Sequence, residues 1–154
     1  MNSGAIIRKA KRKDIDSIYD IIKFYSDDGI ILKRTRTDIL GFLSDFYVAE
    51  IDRTIAGTIS FFDYGSHLKE IRSLGVKKEF LRHGIGSLLL KRAIQYLCEE
   101  NTPRIFVLTL NVNFFEKNGF SVISMDSLPE KIWKDCRTCK KIESCDETAL
   151  EYNP

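Results

Sequence analysis

The chain has no proline- or glycine-rich stretch that would mark a linker; three prolines and nine glycines are scattered through 154 residues. No repeat or low-complexity tract divides it, so a single domain over 1–154 is predicted, long enough to bury a core without staples. No apolar run approaches the length of a membrane-spanning helix. The start, Met1-Asn2-Ser3-Gly4-Ala5-Ile6-Ile7-Arg8-Lys9, lacks the apolar segment of a signal peptide. A large charge of one sign is missing as well. The 24 Lys+Arg and 22 Asp+Glu leave a formal net charge of +2, too even for a chain whose main partner is nucleic acid. Cysteine is sparse and uneven: Cys98 stands alone, while Cys136, Cys139 and Cys145 crowd near the C-terminus. That is a local cluster, not the spread framework of a secreted disulfide fold. Together these absences predict a cytoplasmic protein with no nucleic-acid or membrane partner.

What is present is the balance of a soluble globular chain, 44% hydrophobic and 30% charged. Residues 5–10 read as a first strand. Asp14 is placed to cap a helix whose Ile15, Ile18, Tyr19 and Ile22 recur at helical spacing, and Asp27-Asp28-Gly29 breaks it. A second short helix is predicted from Thr37, carrying Ile39, Leu40 and Leu43. Residues 46–51, 54–62 and 69–76 are rich in strand formers, with Asp52-Arg53 as a tight turn, and predict an antiparallel meander. A long helix follows, with Ile85, Leu88, Leu89, Ala93, Tyr96 and Leu97 on its inner face. Ile105-Phe106-Val107-Leu108 is an apolar run of the kind buried on both faces. A short helix over 113–117 and a strand over 120–124 complete a mixed α/β order with a largely antiparallel sheet flanked by helices.

The chemistry concentrates in Leu74-Gly75-Val76-Lys77-Lys78-Glu79-Phe80-Leu81-Arg82-His83-Gly84-Ile85-Gly86. A strand ends, a polar turn follows, and two glycines open a helix. Glycine tolerates positive φ and close approach of another group. The first N–H groups of the helix have no internal partners and lie at the positive end of its dipole. Such a turn can cradle a pyrophosphate, with Lys78, Arg82 and His83 adding charge at the rim. A plain strand-to-helix turn that binds nothing has the same short pattern. A dinucleotide fold does not fit, because its third glycine falls on Leu89.

The run Leu81-Arg82-His83-Gly84-Ile85-Gly86, with Phe114-Phe115-Glu116-Lys117-Asn118-Gly119-Phe120 downstream, resembles the acetyl-CoA site of the GNAT acetyltransferases. Their pattern is Arg/Gln-x-x-Gly-x-Gly/Ala followed by Phe-Tyr-x-x-x-Gly-Phe, and the element order matches along nearly the whole chain. Two positions depart from it: Leu81 stands at the usual Arg/Gln and Phe115 at the usual Tyr, which removes that route for protonating the departing CoA thiolate. A thiolate with a reference pKa of about 8.5 leaves tolerably without such help. Within the superfamily the chain is similar to the N-acetylglutamate synthases, especially the short bacterial amino-acid N-acetyltransferases. The matching pieces are 7–10, 29–34, 70–76, 106–109 and 114–120, and the tail from Leu128 through Cys136, Cys139 and Cys145 to Glu147.

The resemblance implies transfer of an acetyl group from acetyl-CoA to an amino acid, glutamate first, as in the opening step of arginine biosynthesis. Acetyl-CoA would lie on Leu81, Arg82, His83, Gly84, Ile85, Gly86 and Ser87. The main chain of Leu74 and Val76 would pair with its pantetheine arm, and Phe115 would pack against that arm or be an ordinary core aromatic. The Val76 N–H is the natural oxyanion donor. An ammonium must lose a proton before it attacks; Glu70 is the implied base, the other reading being an exposed strand-end carboxylate paired with Lys69 or Arg72. A dicarboxylic acceptor calls for cations, and Lys33, Arg34 and Arg72 are the candidates. Thr109 would orient substrate or protonate the thiolate, or be an ordinary strand-end threonine. Cys136, Cys139 and Cys145, in the segment 127–154, are three soft ligands where zinc wants four, so metal, reduced thiols and a redox pair stay open. A homodimer is compatible with this reading. So are action on another small amine or a protein amine, and a degenerate CoA-binding sensor.

Overall fold

The computed structural model describes residues 4–65, 67–128 and 147–153. The chain divides into two compact units, Met1–Ile105 and Phe106–Pro154. In the first, strands β1 (Ile6–Lys9), β2 (Phe46–Ile51), β3 (Thr54–Asp63) and β4 (Leu68–Val76) pair antiparallel in chain order. The expected meander is therefore present and gains β1 on its edge. Asp52 and Arg53 both take positive φ, 48° and 65°, and Ile51 pairs with Thr54; this is the two-residue hairpin turn whose twist suits antiparallel strands.

Helices α1 (Ile15–Ser26) and α2 (Arg36–Gly41) cover one face of these strands. Ile18, Ile22, Ile39, Phe46 and Val48 are fully buried in their shared core. Each large side chain removed from water in this way contributes about 1.5–3 kcal/mol before ordering entropy is counted. Helix α3 (Ile85–Glu99) covers the other face, where the Tyr96 ring stacks on Phe61 and meets Tyr47 edge-on. The alternation of β2 decides this division: Phe46 and Val48 point one way, Tyr47 the other.

Three local expectations change. Asp14 does sit at the N-cap of α1, but its carboxylate makes no cap bond there. It is buried, accepting from the Lys11 N–H and from both Nη atoms of Arg8. Helix α2 begins at Arg36 because Thr35, not Thr37, caps it by accepting from the Asp38 N–H at 3.0 Å. Leu43 falls outside α2, in a 3-10 turn. On α3, Leu88 is 40% exposed, while Leu90 and Ile94 are buried with Leu89, Ala93 and Leu97.

Strand β5 (Arg104–Thr109) leads into the second unit, which holds α4 (Val112–Lys117), β6 (Phe120–Val122) and β7 (Thr148–Tyr152). Strand β7 was not expected from the sequence; it lies antiparallel between β5 and β6. The result is the mixed α/β class read from the pattern. Among the described residues no helix is long and apolar enough to cross a membrane.

Candidate active site

The centre of the site is β4. Its register against β3 breaks between the pairs Thr58–Gly75 and Ser60–Arg72, so Ser73 and Leu74 together face Ile59. That is a β-bulge, with Ser73 at φ 53°, and such bulges re-aim the side chains around them. Beyond it, the Lys77 N–H donates to the Ala56 carbonyl at 2.7 Å. This makes Val76 and Gly57 a non-hydrogen-bonded pair, so the N–H and C=O of Val76 point away from β3. The Tyr25 hydroxyl of α1 donates to that carbonyl. Burial pushes the Tyr25 phenol above its ordinary value, against the pull of the bond. A Cβ on Gly75 would come within 3.0 Å of Ile21 and 3.1 Å of the Tyr25 ring; only glycine lets α1 approach the strand so closely.

Before the bulge, Glu70 and Arg72 project from one face of β4, two residues apart. Glu70 is 4% exposed, which rules out the exposed strand-end reading while keeping its partner. Arg72 Nε donates to Glu70 Oε1 at 2.7 Å, Arg72 Nη2 to the Tyr64 hydroxyl at 2.6 Å, and Tyr64 in turn to Glu70 Oε1 at 3.1 Å. The guanidinium lies 4.2 Å from the centre of the Phe62 ring. Desolvation lowers the Arg72 pKa, but Glu70 and Tyr64 outweigh it and hold the group above the ordinary guanidinium value.

Arg34 reaches the same face from the connection between α1 and α2. Its Nη1 donates to Ser73 Oγ at 3.2 Å, its Nε lies 3.6 Å from Asp38, and its guanidinium stands over Phe46 and Phe42. Burial pulls Arg34 below the ordinary guanidinium value and the nearby charge of Arg72 adds to this, with Asp38 opposing. Two half-buried guanidinium groups thus lie near one another. Lys33 does not join them: it is exposed and makes no hydrogen bond or ion pair among the described residues. Tyr64, Ser73 and Tyr25 were not singled out from the sequence. The i, i+2 spacing of Glu70 and Arg72 was the available signal for their pairing, since it puts both on one strand face.

After β4 comes a 3-10 turn over Lys78–Phe80, and then Gly84 caps α3 at φ 74°. Arg82 also takes positive φ, 68°. Among the described residues a Cβ on Gly84 would meet nothing within 4 Å, so glycine is required there by its positive φ and not by crowding. Arg82, His83 and Leu81 are exposed around it, Gly86 and Ser87 are partly buried, and Ile85 faces the core. The turn thus brings a helix N-terminus, two positive-φ residues and the exposed Arg82 and His83 together at Leu81–Ser87.

Thr109 and Phe115 belong to the second unit. Thr109 Oγ1 accepts from the Asn111 N–H at 2.9 Å. Phe115 is buried edge-on against Phe114 and Phe120. Cys136, Cys139 and Cys145 lie outside the described residues, as does most of the segment 127–154. Among the described residues no three metal-ligating side chains cluster.

Comparison with known proteins bears on the whole arrangement. The model of the acetyltransferase (GNAT) family matches residues 14–120. The chain is 40% identical over 144 residues to the uncharacterized N-acetyltransferase CT2212 of Chlorobaculum tepidum, covering 94% of this chain and 93% of that one. It is 26% identical over 137 residues to the amino-acid acetyltransferase of Mycobacterium tuberculosis, covering 86% and 78%. The structure of N-acetylglutamate synthase from Neisseria gonorrhoeae, complexed with coenzyme A and N-acetyl-glutamate, superposes with a TM-score of 0.89 at 27% identity. That match covers 99% of this chain but only 35% of the synthase, so the chain spans about a third of that protein's length. On the family match, the CT2212 likeness and the shared fold, the chain belongs to the GNAT acetyltransferase family, as an acetyl-CoA-dependent N-acetyltransferase.

Proposed function

We propose that the acceptor is the amine of a free acidic amino acid, with L-glutamate preferred, as in the first step of arginine biosynthesis. The observation that carries this is the convergence of Arg34 and Arg72, both half-buried, beside Glu70. Arg72 is paired with Glu70 and Arg34 lies near Asp38, and each half-buried guanidinium keeps further N–H groups that suit the carboxylates of a ligand. The Mycobacterium relative, an amino-acid acetyltransferase, and the Neisseria synthase holding N-acetyl-glutamate support the same class. We further propose that both units act as one catalytic domain in the cytoplasm; the family match, which runs through both, supports the single domain.

Acetyl-CoA supplies the activated acetyl group as its thioester. Residues Leu81–Ser87 hold its phosphates with main-chain donors and the charge of Arg82 and His83, while Leu74 and Val76 hold the pantetheine arm. Glu70 takes the proton of the acceptor ammonium, directly or through one water, so that the free amine can attack. The Val76 N–H donates to the negative charge that develops on the thioester oxygen. Arg34 and Arg72 bind the acceptor carboxylates and fix the amine's approach. As the new C–N bond forms the thioester C–S bond breaks, and CoA leaves as its thiolate, which takes its proton from the Thr109 hydroxyl or from solvent, while Phe115 packs against the pantetheine arm.

The test is release of CoA thiol from acetyl-CoA with glutamate, aspartate, glutamine and lysine as acceptors. Saturable turnover led by glutamate is the expected result. Turnover led by lysine or glutamine would remove the acidic acceptor and leave the fold and the base in place.

A further inference from the structure

We propose that Tyr64 is a positioning residue for the acceptor: its hydroxyl fixes the Arg72 guanidinium so that the Nη1 edge is presented to an acceptor carboxylate. This rests on the acidic-acceptor reading above. No motif includes Tyr64, and its role follows from the way Arg72 is held.

A guanidinium bound at one nitrogen pivots about that bond. Here the Nε–H on Glu70 Oε1, at 2.7 Å, is one anchor, and the Nη2–H on the Tyr64 hydroxyl, at 2.6 Å, is the second. The hydroxyl donates onward to Glu70 Oε1 at 3.1 Å, closing a triangle among the three side chains. The Phe62 ring, 4.2 Å from the guanidinium carbon, fixes its plane, and Tyr64 itself packs edge-on against Phe62. Two anchors and a stacking face leave the planar group no free rotation. Nη1 is the remaining corner, and it has no hydrogen-bond partner among the described residues. The tyrosine is held in turn: its N–H donates to the Leu68 carbonyl at 3.0 Å, and Asp63 accepts from the Gly65 N–H at 2.7 Å. Among the groups facing Glu70 are Arg72 from its own strand and Tyr64 from the connection after β3, and Arg34 lies close enough to Arg72 to feel its charge.

The test is steady-state kinetics of Tyr64→Phe, Tyr64→Leu, Arg72→Gln and Arg34→Gln with glutamate and acetyl-CoA, across pH. Tyr64→Phe keeps the ring and removes only the hydroxyl. It is expected to raise the glutamate KM about tenfold, the scale of one hydrogen bond to a charged group, and to leave the acetyl-CoA KM unchanged. The lower apparent pKa of the kcat/KM profile should also move up, because Glu70 loses a donor that favours its charged form. A role in packing alone would leave that pKa in place. If Tyr64→Phe matches the parent in glutamate KM and pH profile while Arg72→Gln raises the KM, the positioning role is overturned and the acidic acceptor stands. If Arg72→Gln and Arg34→Gln both leave the glutamate KM unchanged, the acidic-acceptor reading fails, and the Tyr64 role with it.

Discussion

Glu70 Oε1 receives two donors, so this carboxylate is held in place while it waits for a proton. Replacing Glu70 with Gln keeps the shape and removes the base. The kcat/KM for acetyl transfer is expected to fall by roughly 10²–10⁴, the usual scale of general-base assistance, with the acetyl-CoA KM preserved. Thiol release at parental rates would show that the proton leaves another way. Arg72→Lys is a second discriminating change. An ammonium cannot span Glu70 and Tyr64 and still offer a third donor direction in one plane, so the acceptor KM should rise despite the retained charge. Single residues were unevenly legible in the sequence. Glu70 could be picked out through the family resemblance, and Arg34 and Arg72 as cations that a dicarboxylic acceptor would need. Their coupling could not, since it depends on a bulge and on the reach of Tyr64 across a hairpin. Lys33 looked equivalent to Arg34 in the sequence, and only the fold half-buries one and exposes the other.

At the scale of elements, the contact between α1 and β4 sets the geometry of the strand's end. Tyr25 holds the Val76 carbonyl, and Gly75 admits the ring beside it. Tyr25→Phe is expected to lower stability by about 1 kcal/mol, one ordinary hydrogen bond, and to raise the acetyl-CoA KM more than the acceptor KM. Denaturant unfolding and kinetics on the same preparation check both. Gly75→Ala places a methyl 3.0 Å from Ile21; overpacking of that kind costs about 1–3 kcal/mol, visible as a lower melting temperature. The elements themselves were largely readable. Helix α3 announced its start through Gly84, and the meander through its alternation and its two-residue turn. The misses have local causes. Thr35 and Thr37 are both good caps, and only the Thr35 bond to the Asp38 N–H separates them. Asp14 was assigned to a helix start, but the unforeseen bonds from Arg8 and Lys11 drew it inward.

For the whole molecule, that buried pair makes stability depend on acid. Desolvation opposes ionisation of Asp14, but the bonds from Arg8 and the Lys11 N–H hold its carboxyl below the usual value. A depressed folded pKa stabilises the protein fully above the unfolded value of about 3.9 and is lost as pH falls through the folded one. Asp14→Asn should therefore cost about 2 kcal/mol near neutral pH and flatten the acid side of the stability curve in urea titrations across pH. The last strand, β7, was illegible because it is five residues long and follows a cysteine-bearing segment that drew the reading toward metal and redox chemistry. The bonds among Tyr64, Glu70 and Arg72 close over two, six and eight residues of chain, whereas Arg34 meets Ser73 across 39. Short loops close first during folding, at little entropic expense. The reactive half of the pocket can thus assemble with its hairpin, ahead of the helices that bring the selective half. A lineage drifting toward a new acceptor could rebuild the α1–α2 connection and inherit the proton-handling hairpin unchanged.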